Sequence, residues 1–307
     1  MSGKLAFGYQ NADAAGTGTA GKKSGLGVTD GDVVFTAVED LGGGLKATAS
    51  IATLMRGRDT TVSGRDATIS VAGGFGTVMI GAIEAGNGII PLAGAGAPTI
   101  GLDTFGAAQS TAAASGISRT AVSAAANTDI LMYTSPNISG FSFSAAMMDA
   151  TTAFGAESTS AAQDSTMLRV NYANGPLAAM ADLTSFGKNS LTTAATTADD
   201  RVRMSASYDL GVAKIGAGYE KIQTLATTNN GNKQTMFGVS VPVGAFTFGA
   251  TSSNNKLDGG TTIKGTEMGV NYALSKRTAI QVATQKIKET GVTGSADRTR
   301  IRLLHSF

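Results

Sequence analysis

Hydrophobic and polar residues alternate along most of this chain with the period of two that is typical of β-strands. In the segment 298–307 the odd positions are mostly apolar and end in Phe307, while the even positions carry Arg298, Arg300 and Arg302. Such a strand cannot lie inside a protein core, because each buried charge would need a partner. It fits a wall with lipid on one side and enclosed water on the other.

The same alternation recurs about every 20 residues from end to end, which is the spacing of a strand plus its connection in a large barrel. Clear apolar rows lie at 5–9, 45–51, 141–147, 168–172, 202–208, 215–219 and 280–282. Polar residues on the backs of these rows include Lys4, Lys46, Arg169, Asn171, Arg201, Arg203, Lys214, Glu220 and Gln281. A β-sandwich would alternate in the same way, so the pattern alone leaves open which face is convex.

Short and long connecting segments alternate along the chain. Short segments rich in Gly, Pro and Asn, suited to tight reversals, lie at 39–44, 73–76, 135–140, 173–176, 209–211, 242–244 and 274–277. Long segments lie at 11–24, 55–66, 83–126, 150–165, 186–200, 223–233, 253–265 and 291–297. This layout is typical of outer-membrane barrels, with short periplasmic turns and long external loops. We therefore predict an all-β fold, a sixteen-stranded antiparallel transmembrane β-barrel that forms one domain over residues 1–307.

The third long connection, 83–126, is exceptional in length and shows little periodicity. A structureless connection of that size is uncommon unless it is functional. We predict that it folds into the lumen of the barrel and narrows it.

Composition excludes several other classes of protein. The absence of cysteine removes disulfides, thiolate catalysis and most structural zinc sites. A net charge of +2 gives no indication of a nucleic-acid partner, and charged residues at 15% are few for a soluble surface. No basic segment followed by an apolar run is present, so we expect that the signal peptide is absent from this chain.

Six blocks of residues, found in order along nearly the whole chain, identify a family. The chain resembles the general diffusion porins of Gram-negative bacteria, most closely the betaproteobacterial branch of Neisseria and Comamonas. The blocks lie at 38–47 (Val-Glu-Asp-Leu-Gly-Gly-Gly-Leu-Lys-Ala), 132–141, 171–177, 207–214, 271–279 and 305–307. The resemblance implies a homotrimer of sixteen-stranded barrels, each with an eyelet formed by the third loop against a basic wall. A final strand that stops at Phe307 likewise resembles the closing, membrane-assembly strand of outer-membrane barrels.

The chain departs from this family at its most functional positions. Porins of the branch usually carry arginine in the strand before the 39–44 turn, where this chain has Asp32. They commonly have arginine before the fourth strand and after the fifth, where this chain has Arg65-Asp66 and Ala82.

Two further departures concern the third loop and the segment after it. The arginine usual shortly before the 133–136 element corresponds to Ala126, or has moved to Arg119. The acidic groups of the inward loop have counterparts in Glu84 and Asp103. The electric field across the pore, between arginines and carboxylates, is therefore weaker than in the family, and we expect only weak ion selectivity.

Passive permeation needs no catalyst, only a pore radius and a lining of suitable charge. Basic candidates for the lumen are Lys4, Lys46, Arg65, Arg169, Arg201, Arg203, Lys286, Lys288, Arg298, Arg300 and Arg302. An alternative interpretation is that many of them merely solvate the lumen or bind lipopolysaccharide phosphates near the rim. Arg65 and Arg169 are the favoured contacts for permeating solutes. The predicted pore-lining or constriction set is Asp32, Arg65, Asp66, Glu84, Asp103, Arg119, Arg169, Arg201, Arg203, Arg298, Arg300 and Arg302.

No constellation of residues indicates an enzyme. His305 is the single histidine and falls on the lipid-side face, so a catalytic triad or a histidine-based metal site lacks its second member. No catalytic residue, cofactor or metal is therefore predicted.

The sequence predicts an outer-membrane porin that lets small hydrophilic solutes and ions diffuse through a water-filled channel. Its expected partners are two further copies of the chain, outer-membrane lipid and lipopolysaccharide. Two alternatives stay open: a solute-selective channel with a binding site on the third loop, and a soluble β-rich secreted adhesin.

Overall fold

The computed structural model describes residues 1–13, 22–54, 62–83, 128–149, 165–186, 198–224 and 232–307. In this part of the chain sixteen antiparallel strands close into one barrel, as predicted, with β1 hydrogen-bonded to β16. The strands are β1 Ser2–Asp13, β2 Lys22–Gly42, β3 Leu45–Leu54, β4 Ser63–Gly73, β5 Gly76–Ile83, β6 Thr128–Thr134, β7 Phe141–Asp149, β8 Ser165–Asn174, β9 Leu177–Phe186, β10 Ala198–Asp209, β11 Lys214–Thr224, β12 Asn232–Val243, β13 Phe246–Leu257, β14 Thr262–Ala273, β15 Thr278–Glu289 and β16 Ala296–Ser306.

The distribution of side chains on the two faces of the sheet is the reverse of that in a soluble protein: apolar side chains are exposed and charged side chains are buried. On β16, Ile301 and Leu303 are 48% and 49% exposed, whereas Arg300 is only 2% exposed. The arginine face is the concave one, because Arg302 reaches across β1 to Thr29 on β2. The apolar face is therefore convex and meets the hydrocarbon of a bilayer, while polar side chains crowd the interior.

Short turns join the strands at one end, where the sequence predicts them. The 39–44 segment reverses through Gly42, Gly43 and Gly44, all with positive φ, which glycine adopts without a steric penalty. At the other end, the connections 258–261 and 290–295 are shorter than the predicted 253–265 and 291–297. The strand ends there are polar on both faces, so the sequence resembles loop although the backbone stays paired.

A bulge in β4 changes the direction of two charged side chains. Ile51 pairs with Ala67 and Thr53 with Gly64, so two residues, Arg65 and Asp66, stand opposite Ala52. An extra residue of this kind bends a strand and re-aims its side chains. Both charged residues consequently lie on the interior side, although strict alternation would separate them.

Aromatic residues gather on the outer face near the short turns. Phe141 contacts Tyr172 with ring centroids 4.5 Å apart, and Phe246 contacts Tyr272 at 4.6 Å. The Tyr133 hydroxyl donates a hydrogen bond of 2.7 Å to the Phe75 carbonyl. Rings with a polar handle suit the boundary between lipid tails and headgroups. No helix in the described ranges is long and apolar enough to cross a membrane.

Candidate functional site: the charged interior of the barrel

Three arginines of β16 form a stripe along the interior face. Arg298 Nη1 donates to the Gln285 side chain at 3.2 Å, and Arg302 Nε donates to that of Gln281 at 2.8 Å. Arg300 Nη2 donates to the Gln10 side chain at 3.1 Å. These neighbouring amides orient the guanidinium groups and leave their positive charge in place. The arginine stripe is therefore a source of positive potential along the lumen.

A second group on the interior face alternates in charge from strand to strand. Neighbouring residues in the register are Arg169 on β8, Asp182 on β9, Arg203 on β10 and Glu220 on β11. Arg203 holds Asp182 in a two-point contact, with Nε to Oδ1 at 3.0 Å and Nη2 to Oδ2 at 2.8 Å. Arg169 Nη2 donates to Asp182 Oδ2 at 2.9 Å. We call these four residues the charge ladder.

Arg201 stands beside the charge ladder on β10. Its guanidinium donates a hydrogen bond of 3.1 Å to the Thr184 hydroxyl, and the residue is 5% exposed. Arg169 and Arg203 share one carboxylate, so their positive charge is partly neutralised inside the wall. The predicted role of Arg169 as a solute contact is accordingly less direct than its position alone suggests.

A third charged group lies on β1, β2 and β4. Lys4 Nζ is 3.0 Å from an Asp30 oxygen and 3.2 Å from Asp32 Oδ2. Arg65 Nη1 donates to the same Asp32 oxygen at 2.7 Å, and its Nε is 3.9 Å from Asp66. Three carboxylates therefore surround two cations, and this part of the interior carries more negative than positive groups.

Carboxylates and cations are thus interleaved around the described interior. By strand alternation and register, its basic members are Lys4, Lys46, Arg65, Arg169, Arg201, Arg203, Lys214, Arg298, Arg300 and Arg302. By the same criteria its acidic members are Asp30, Asp32, Asp40, Asp66, Asp182, Asp209, Glu220, Glu267 and Glu289. These two sets contain ten cations and nine carboxylates, and most cations of β1–β4 and β8–β10 have a carboxylate in contact. The described interior is consequently polar throughout and nearly balanced in charge.

Two predicted lumen lysines lie elsewhere. Lys286 and Lys288 face outward from β15, since Gln285 and Ile287 beside them are buried on the interior side. Ala82 also faces outward, because it pairs with Ala67 on the outer side of β4. The mismatch for the lysines arises because they follow Ile280 and Val282 on the same face of β15, which changes from apolar to polar toward the end of the strand. A polar residue near a strand end therefore does not by itself indicate the interior face.

Sequence reasoning did not single out several of the interior carboxylates, among them Asp30, Asp182, Glu267 and Glu289. Asp182 and Glu267 each interrupt an otherwise neutral stretch, with Leu183 and Met268 pointing to the other face. A lone carboxylate on the polar face of a strand was the available signal. The role of such a carboxylate depends on which arginine the strand register places opposite it. The register cannot be read from the sequence of that strand alone.

Three predicted constriction residues, Glu84, Asp103 and Arg119, lie outside the described residues, as does Ala126. The same holds for all of the predicted constriction segment 83–126 except Ile83. Within the described ranges, no group of three or more His, Cys, Asp or Glu residues is arranged to hold a metal ion.

Comparisons with known proteins agree on one class. A sequence model described as "Gram-negative porin" matches residues 1–291. The anion-selective porin of Comamonas acidovorans is 23% identical with a TM-score of 0.71, and the match covers 100% of both chains. A mutant form of the porin of Rh. blastica is 16% identical with a TM-score of 0.69, covering 100% of this chain and 99% of that one. No match was found among curated proteins.

Proposed function

Because this chain belongs to the Gram-negative porin family, we propose that it is a general diffusion channel of the outer membrane with weak ion selectivity. Small hydrophilic solutes and ions cross through the interior of the barrel without chemical change. A sixteen-stranded barrel of this kind is wide enough to leave an aqueous passage. The family and the fold indicate a channel rather than an enzyme.

One observation carries this proposal: the inversion of the two faces of the closed sheet. Apolar side chains such as Phe237 and Met268 are 55% and 59% exposed on the outside. The inner face carries Arg298, Arg300 and Arg302 at 2–4% exposure, each held by a glutamine of a neighbouring strand. This arrangement is stable only with hydrocarbon outside and a hydrated passage inside.

Weak selectivity follows from the interleaving of opposite charges. A strongly selective passage needs a long stretch of one sign, because nearby opposite charges cancel the field that a passing ion experiences. Here Asp32 offsets Lys4 and Arg65, and Asp182 offsets Arg169 and Arg203. The arginine stripe of β16 gives the remaining bias, which favours anions slightly.

The proposed assembly and the proposed constriction follow the family resemblance. We propose a homotrimer in contact with outer-membrane lipid and lipopolysaccharide, each chain forming a single barrel domain over 1–307. The constriction is assigned to segment 83–126, with Glu84, Asp103 and Arg119 among its charged residues. The described Asp32, Arg65 and Asp66 are assigned to the wall that contributes to it.

Recording from planar bilayers tests the proposal. We expect stepwise conductance in KCl, and in a tenfold salt gradient a reversal potential far below the roughly 59 mV of an ideally selective pore. Arg300→Gln should shift this potential toward cations, because it removes a positive charge from the interior. Lys286→Gln, which removes a charge from the outer face, is the matched control and should leave the potential unchanged. A strongly anion-selective parent protein, or no stepwise conductance, would contradict the proposal.

A further inference from the structure

A cluster of apolar side chains lies on the inner wall of strands β5 to β8, where a water-filled barrel ordinarily carries polar residues. Three of its members, Ile130, Ala146 and Met167, are 6%, 4% and 6% exposed. Methionines of the same strands pack against these three and are partly exposed. We call the cluster the methionine patch: Met79, Ile130, Met132, Ala146, Met148 and Met167.

The inward direction of the patch follows from the residues next to it along each strand. Ile80, Leu131 and Leu168 are 51%, 49% and 62% exposed on the outer face, so their immediate neighbours face the interior. Both faces of the sheet are therefore apolar in this part of the wall. Contact with lipid accounts for the outer face only. An apolar area within a polar surface is typical of a ligand-binding site.

The register gathers the methionines around one small residue. Met79 pairs with Met132, Met132 with Ala146, and Ala146 with Met167. Met148 follows Ala146 by two positions on the same face of β7. At about 4.8 Å per strand, the row from Met79 to Met167 is about 14 Å wide. Ala146 thus forms the floor of a shallow depression with thioether walls, large enough for one aromatic ring.

A polar row with one accessible charge borders the patch on its short-turn side. Thr134 pairs with Ser144, and Ser144 pairs with Arg169. The Arg169 side chain is 22% exposed, whereas that of Asp182, its partner in the charge ladder, is 0% exposed. Arg169 Nη2 donates to Asp182, and Arg169 Nε has no hydrogen-bond partner within the described residues. Although Asp182 neutralises part of its charge, the charged group that a solute meets beside the patch is a cation.

We propose that the methionine patch and Arg169 form a binding site for aromatic carboxylates in the passage. The proposal rests on the proposed channel function, since the ligand reaches the inner wall through the lumen. The carboxylate accepts hydrogen bonds from the Arg169 guanidinium, and the ring lies about 7 Å further along the strands, over Ala146. Methionine side chains are flexible and their sulfur atoms contact ring edges favourably, so the patch can adapt to differently substituted rings.

Spectra of protein with isotope-labelled methionine methyl groups, recorded in detergent during addition of sodium benzoate, test the proposal. A bound ring shifts the resonances of nearby methyl groups through its ring current. We expect saturable shifts for the methionines of the patch and none for Met204 and Met268, which are 48% and 59% exposed on the outer face. Acetate, which lacks the ring, and benzamide, which lacks the charge, should each bind at least about tenfold more weakly than benzoate.

Two pairs of variants separate the contributions of charge and apolar surface. Arg169→Gln should bind benzoate at least about tenfold more weakly, because a charge-assisted contact is lost. Lys214→Gln, which removes an interior charge at the short-turn end of β11, is the matched control and should bind like the parent.

Met132→Gln/Met148→Gln should also weaken binding about tenfold, because two apolar contacts with the ring become polar. Met132→Leu/Met148→Leu keeps the volume and the apolar character, so its affinity should stay within about threefold of the parent. If the glutamine variant does not fold, Arg169→Gln and the comparison of benzoate with acetate and benzamide decide the question.

Equal shifts at the patch and at Met204 and Met268 would overturn the proposal, because they would show that benzoate only enters the detergent micelle. Binding of acetate or benzamide as tight as that of benzoate, or full binding by Arg169→Gln, would also overturn it.

Recording from planar bilayers separates failure of the site from failure of the channel. Benzoate should lower the KCl conductance of the parent more than the same concentration of acetate does, because it occupies the passage. A parent protein that shows the methyl shifts but does not conduct contradicts the channel function and leaves the binding site standing. A conducting parent without these shifts does the opposite.

Discussion

Asp182 is the residue on which the charge ladder depends, because one carboxylate with a fully buried side chain serves two arginines. Alternation along β8 and β10 places Arg169 and Arg203 on the polar face, and this could be predicted from the sequence. Their common partner could not, because it sits on β9 and is brought between them only by the register of three strands. Side-chain direction is thus a local property of a strand, whereas charge pairing is not.

We expect Asp182→Asn to have two effects. Loss of the carboxylate removes the shared counter-charge of two arginines and one of the two acceptor oxygens, which should cost about 3 kcal/mol of stability for a buried pair. The same change removes a negative charge from the interior, so the reversal potential in a salt gradient should move toward anions. Urea unfolding in detergent and bilayer recording measure the two effects.

Asp297→Asn is the control for this substitution. Asp297 also pairs with a cation, but its side chain is 50% exposed on the outer face, and such pairs contribute little. It should change neither stability nor reversal potential appreciably. If the two variants behave alike, the charge ladder has no special role in the interior.

At the scale of strands, the sequence predicts the number of strands and the short turns well, because both depend on local chemistry. Glycine-rich segments such as 39–44 specify reversals, and period-two patterning specifies the strands between them. The loop ends of β13 and β14 were predicted less well, since polar residues such as Asn255 and Lys256 occupy both faces there. The bulge at Arg65 and Asp66 depends on pairing with β3 and leaves no periodic signal.

The seam between β1 and β16 depends on close approach at Gly8. A Cβ atom at this position would lie against the Ile301 carbonyl oxygen and 2.6 Å from the Arg302 Cβ. Gly8→Val should therefore force the two strands apart, at a cost of about 1–3 kcal/mol from overpacking. We expect a lower refolding yield and a lower unfolding temperature in detergent.

Gly25→Val tests whether any added side chain has this effect. Gly25 lies on the neighbouring strand β2, opposite Gln10, with no atom within 4 Å of a Cβ placed there. This variant should refold as well as the parent protein. Equal damage from both substitutions would show that the β1–β16 contact is not the sensitive point.

At the scale of the whole molecule, the closed sheet places its apolar face outward and has no free edge in the described barrel. Every strand is hydrogen-bonded on both sides, so loss of one pairing weakens its neighbours as well. The apolar exterior also separates this fold from the adhesin alternative, whose exterior would have to be polar. The closed sheet and its continuous apolar exterior belong to the whole barrel and form only after the last strand has paired.

We expect the folded protein to resist sodium dodecyl sulfate at room temperature and to migrate differently after boiling. The closed hydrogen-bonded sheet should keep its compact shape until heat opens it, after which the chain should migrate as expected for 30.8 kDa. It should also require detergent to remain in solution. A protein that is monodisperse in plain buffer, with identical migration before and after boiling, would contradict the membrane barrel.

Pairing between the two outermost strands has a consequence for biogenesis. Gly3 and Phe307 exchange two backbone hydrogen bonds, of 2.9 and 3.0 Å, and Gln10 contacts Arg300 across 290 positions of the chain. Contacts this remote in sequence form slowly, because loop closure must precede them. The barrel therefore cannot close before β16, the last of its strands to be synthesised, is available to pair with β1. Until that pairing forms, the edges of β1 and β16 are open and can pair with other chains, so we expect aggregation during refolding to increase when β16 is removed.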